Sequence, residues 1–245
     1  MSRRAPLSRA RIGKPSVPDI AIFYHARTRL DIPLPRMVRA LQKFLDVHFV
    51  PVWGTPARLH VSRGFRKGCW ALGFFETERG AAAEGYHDLT PDGLPFARVF
   101  MKDTLENHDQ ISVTASHELA EMLVDPALNM EVAKSTNVLF DYEVADPVEE
   151  ATFAVDGVPM SNFVYPTWFE PFHKRGSVEF DHCGLVDKPF QIMRTGYARV
   201  FRGGKWREVS GSHAKQVRFA KERRAGHRTS QRPRRNSLKR SRPTA

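Results

Sequence analysis

The 245-residue chain holds 38 Lys/Arg against 27 Asp/Glu, a net charge of +11, with 41% hydrophobic and 11% aromatic residues, enough to bury a sizeable core. No apolar run approaches the roughly 18–20 residues of a membrane span, and no apolar signal core follows the basic start Met1-Ser2-Arg3-Arg4. A membrane partner and conventional export are therefore not expected. Cys69 and Cys183 are too few for a disulfide framework or a four-thiolate zinc site, which implies a reduced, cytoplasmic setting.

The charge is unevenly placed. Residues 213–245 contain twelve Lys/Arg and one Glu, a net +11, so residues 1–212 are neutral with 26 of each sign. Without the five basic residues Arg3, Arg4, Arg9, Arg11 and Lys14, segment 15–212 has 21 basic and 26 acidic residues, or −5. The basic character belongs to the tails.

Residues 1–18, with Pro6, Pro15 and Pro18 among basic residues, read as a disordered arm. Asp19 to Tyr24 has strand character, and Met37, Val38, Leu41, Phe44 and Leu45 follow Pro33 and Pro35 at the spacing of one helix face. Strands are expected at 49–53, 58–61 and 70–75, then a loop to about Gly93, then a strand at 96–101. A central helix runs from about Ser112 or Val113 to Val124 and ends at Asp125-Pro126, since the residue before proline disfavours helix. Residues 151–155 lead to a hairpin turn at Asp156-Gly157, and 160–212 read as irregular β-structure and long loops with a second turn at Gly203-Gly204. Strands, then a helix, then mixed structure predict an α+β domain over 19–212.

The central helix contains Ser116-His117-Glu118-Leu119-Ala120-Glu121. Residues four apart share a helix face, so His117 and Glu121 can both reach one ion. Glu118 points about 100° away, where it can meet a water on that ion and serve as general base. A catalytic zinc site needs three protein ligands and an open position. The acidic cluster containing Glu143 and Asp146 follows at a distance that can return the third ligand. Glu143 is the preferred choice, with Asp146 as partner to a ligand. Asp125 reads as a helix-end residue that could also coordinate, and His173 and His182 are further alternatives. Tyr142, Tyr165 and Tyr197 are candidates to stabilise an oxyanion.

The run from Ser116 to Pro126, followed by Tyr142-Glu143-Val144-Ala145-Asp146-Pro147, resembles the S-H-E-x-x-E-x-x-x-D-P … E-[IV]-x-D pattern of zincin-like, metallopeptidase-like proteins, many from bacterial and phage genomes. Phe96 to Phe100 and Asn162-Phe163-Val164 are similar too, so the resemblance covers roughly residues 90–200. It implies a zincin-like domain, His117 and Glu121 as ligands, Glu118 as catalytic base, and Glu143 or Asp146 as third ligand. It further implies a peptide or protein substrate held on an edge strand, for which 96–101 is the candidate. The second His of H-E-x-x-H is absent here. A carboxylate-rich set suits zinc but leaves room for manganese or calcium.

The expected function is thus metal-dependent, metallopeptidase-like hydrolysis. The alternative is a non-catalytic phage or mobile-element protein with a structural or vestigial metal site. In that case the 213–245 tail would bind nucleic acid through its phosphates without sequence preference; its other reading is a disordered, solubilising extension. The four tryptophans are expected in the core or in pocket walls, and both cysteines as buried fillers.

Overall fold

Asp19–His25 (β1) is an interior strand of a five-stranded sheet, and its Ile20, Ala21 and Ile22 are buried. A computed structural model describes residues 17–78 and 83–212 of the chain. The arm expected at 1–18 falls outside these residues except for Val17 and Pro18, and the tail expected at 213–245 falls outside them entirely.

The first sheet comprises β1, Arg58–Val61 (β2), Trp70–Phe75 (β3), Gly85–Leu89 (β4) and Pro95–Phe100 (β5), in the order β2-β1-β3-β5-β4. Three of its four neighbouring pairs are parallel; only β4 runs antiparallel, against β5, with His87 opposite Ala97. The fold is mixed α+β, but with more parallel pairing than a strands-then-helix reading implies. Residues 96–101 are not an edge strand, since β5 lies between β3 and β4. The edge on that side is β4, in the segment expected to be loop. Its two polar residues His87 and Asp88 and its leading glycine hide the apolar alternation by which a strand is recognised.

Leu34–Lys43 (α1) starts with Pro35 in its first turn, where a missing N–H costs nothing, and buries Met37, Val38, Ala40 and Leu41. It continues through a π-helical segment, Phe44–Phe49, into a short helix, Val50–Trp53 (α2), capped by left-handed Gly54. The strand expected at 49–53 is therefore helical. Packing overrides the β-preference of Val50 and Val52: Phe49 meets Phe44 and Phe163, and Trp53 donates its indole N–H to the Val164 carbonyl at 3.1 Å.

Met101–Glu106 (α3) leads to Ile111–Val124 (α4), in which every residue but Val113 is buried. A helix covered all round needs neighbours on every side. These are β4, β5 and the hairpin of Thr152–Val155 (β8) and Val158–Ser161 (β9). The hairpin turn at Asp156-Gly157 has positive φ at both residues, as a two-residue hairpin requires.

A second sheet, in the order β11-β10-β7-β6, is built from Glu131–Ser135 (β6), Val138–Asp141 (β7), Tyr197–Arg202 (β10) and Lys205–Ser210 (β11). Gly203-Gly204 turns β10 into β11, as expected. One hydrophobic cluster extends from Ile20 through α4 to Val200. Trp168 is fully buried within it, and Trp53 and Trp70 pack against it. Cys69 and Cys183 are partly exposed free thiols, not buried fillers. Among the described residues no helix is long and apolar enough to cross a membrane.

Candidate metal centre

α4 carries His117 and Glu118 about two turns, and Glu121 about one turn, before its end at Asp125. Asp125 stops the helix and organises the following turn, its two carboxylate oxygens accepting the main-chain N–H groups of Asn129 and Met130 at 2.9 and 3.1 Å. With both oxygens so engaged, Asp125 has the structural role.

The chain leaves β7 at Asp141 and passes through Glu143 to a 3-10 turn, Asp146–Val148. This segment lies against the helix: the Ala145 N–H donates to Glu121 Oε1 at 3.3 Å. Met193 N–H holds the Pro147 carbonyl at 2.9 Å, and Gly196 sits so close beneath it that a side chain there would overlap that oxygen. His117 Nε2 is consequently 3.1 Å from Asp146 Oδ1 and 3.2 Å from Glu121 Oε1.

The third ligand, open in the sequence between Glu143 and Asp146, is divided by the structure into two groups. His117, Glu121 and Asp146 form one, and His87, Glu121 and Glu143 another; in each, one donor atom per residue lies within 4.8 Å of the others. All five residues, and Glu118 with them, are between 1% and 7% exposed. Burial, and then the charge of Glu121, push the Asp146 carboxyl well above the usual carboxylate range, against the opposing pull of His117.

The first group could hold a small divalent ion. Donors bound tetrahedrally to zinc at 2.0–2.1 Å stand about 3.3 Å apart, close to the 3.1 and 3.2 Å found around His117. One imidazole and two carboxylates are ordinary zinc donors, and hard enough for manganese.

Sequence reasoning missed His87. It projects from β4 toward α4, where Nδ1 lies 3.9 Å from Glu118 Oε2 and Nε2 lies 3.3 Å from the Asp125 carbonyl. Two residues earlier on the same face, Gly85 makes room for Glu118: an added Cβ would stand 2.8 Å from Glu118 Cγ. The Gly-x-His spacing of a half-buried strand was the available signal.

The other candidates are engaged elsewhere. His173 pairs with Glu170 at 2.7 Å. His182 bonds His48 and the Tyr165 hydroxyl, each at 3.1 Å, and stacks on Phe163. Tyr142 stacks on Phe169, and Tyr197 is a core residue of β10. Asn162, downstream in the resemblance, donates to Asp181 at 2.7 Å, and Asp181 in turn accepts the N–H groups of Leu185 and Val186. No family model, curated protein or solved structure matches the chain.

Proposed function

We propose that the protein is a metal-dependent hydrolase of the zincin-like, metallopeptidase-like kind, acting on a peptide or related amide bond. The observation that carries this reading is the spacing of His117 Nε2 from Glu121 Oε1 and Asp146 Oδ1, 3.2 and 3.1 Å, with Glu118 beside them on the same buried helix. His117, Glu121 and Asp146 would hold the ion, zinc before manganese. When bound, such an ion polarises a carbonyl and makes water acidic near neutral pH.

The remaining work falls to the chain. Glu118 accepts a proton from the water that adds to the carbonyl carbon, and returns it to the amine nitrogen as the C–N bond breaks. Gly85 and His87 bound the space in which its carboxylate sits. Among the described residues β4 pairs with β5 alone, so its outer edge offers main-chain groups to an extended peptide. Such pairing reads little sequence, consistent with a substrate class defined by backbone.

Metal content of the purified full-length protein, compared with a His117→Ala/Glu121→Ala variant, tests the reading. Bound zinc in the wild type that the variant loses is the expected result. No divalent metal in either, even after zinc is offered, overturns it. Metal held firmly without hydrolysis of any peptide would favour the alternative of a structural site in a binding protein.

A further inference from the structure

We propose that the centre is binuclear, with His87, Glu121 and Glu143 forming a second divalent-cation subsite that Glu121 bridges to the first. The proposal rests on the reading of His117, Glu121 and Asp146 as the first subsite. Glu121 belongs to both groups, and a carboxylate has two oxygens to share between two ions. Bridged ions in two-metal hydrolytic sites stand about 3.5–4 Å apart.

Three observations converge on the second ion. The first is donor chemistry: His87, Glu121 and Glu143 each bring one donor atom to within 4.8 Å of the others, and all three are buried. They come from three separate elements: β4, α4 and the segment after β7.

The second is the orientation of His87. A carbonyl only accepts, so the Nε2 beside the Asp125 carbonyl, at 3.3 Å, carries the ring proton. A backbone carbonyl on the far nitrogen is the usual outer partner of a metal-bound imidazole, because it fixes the tautomer and aims the other lone pair. The other nitrogen, Nδ1, is on the Glu118 side of the ring, 3.9 Å from Oε2.

The third is charge. Glu118, Glu121, Glu143 and Asp146 bring four carboxylates into one buried region. The five residues of the two groups supply more donors than one ion with three protein ligands and an open position uses. Buried charge is tolerated when it is compensated in place.

The test uses the full-length chain, stripped with chelator and titrated with Mn2+, reading stoichiometry by calorimetry and the ions' mutual distance by electron paramagnetic resonance. Wild type is expected to take up two Mn2+ per chain and to give a spin-coupled spectrum. His87→Gln and Glu143→Gln should each bind one ion with an uncoupled six-line spectrum, their circular dichroism unchanged. One ion per chain with an uncoupled signal in the wild type would overturn the binuclear centre while leaving the hydrolase reading intact. Two ions undisturbed by His87→Gln would also overturn it, and no ion at all would sink both. Should either variant fail to fold, the wild-type stoichiometry and coupling decide alone.

Discussion

Ser116 Oγ accepts the main-chain N–H of Ser161 at 2.8 Å while donating to the Val113 carbonyl at 3.0 Å, fastening the middle of α4 to β9 immediately beside His117. The serine that opens the S-H-E-x-x-E run is thus a strut. Ser116→Ala leaves a buried donor without its acceptor, a loss of about 1–3 kcal/mol. Urea unfolding should register it as a lower midpoint at unchanged slope, whereas an equal midpoint would refute the role.

Glu118→Gln keeps the shape of the side chain and removes the base. Hydrolysis should fall by about 10²–10⁴-fold, with bound metal equal to wild type. An unchanged turnover would remove Glu118 from the chemistry.

Gly196→Ala drives a methyl into the Pro147 carbonyl next to Asp146. Overpacking of this kind costs about 1–3 kcal/mol, and the displaced turn carries a ligand with it. Both melting temperature and metal affinity should drop. Gly203→Ala makes a control: its Cβ meets nothing within 4 Å, though its φ of +60° strains an alanine. That variant should lose a little stability and no affinity.

Zinc present at a hundredfold excess over its dissociation constant should add about 2.7 kcal/mol to the unfolding free energy, if it binds only the folded chain. Differential scanning calorimetry with and without chelator measures the gain, and identical traces would count against a native-state site.

His48 and His182 set a pH dependence separate from the metal centre. Tyr165, His182 and His48 form a chain through His182 Nδ1 and Nε2, each contact 3.1 Å, and with one proton between His182 Nε2 and His48 Nδ1 the two rings are not both charged. Burial, then Lys43, lowers the affinity of His48 for a proton. Burial, then His48, does the same for His182, opposed by Asp181 and Glu179. The unfolded chain therefore binds these protons at a higher pH than the folded one. The stability they contribute is whole above the ordinary histidine value near 6.5 and is lost as pH falls through the lower folded values. A His48→Asn/His182→Asn variant should show a flatter fall in stability below pH 6.5; an unaltered slope would remove the pair from the account.

Much of this architecture could be read from residue order. The α4 helix, its stop at Asp125-Pro126 and the turns at Asp156-Gly157 and Gly203-Gly204 follow from local rules, and each is present. So is the return of Glu143 and Asp146 toward the helix. What local rules could not supply was pairing at a distance. His87 joins Glu121 across thirty-four positions of chain, and β4 is recognisable only once β5 lies beside it. The strand expected at 49–53 failed for a related reason, since Phe163 and Val164, more than a hundred residues away, decide how Phe49 and Trp53 are held.

The π-helical segment Phe44–Phe49 bears on insertions and deletions. A π turn accommodates one residue more than an α turn, so a one-residue deletion within it would let the helix continue regularly from α1. Residues beyond would keep their facing, with the Trp53 indole still toward the Val164 carbonyl, whereas the same deletion inside α1 would swing all that follows by about 100° about the axis. The segment 44–49 is thus the place in the first helix where one residue can be lost without disturbing the packing against the loop that follows β9.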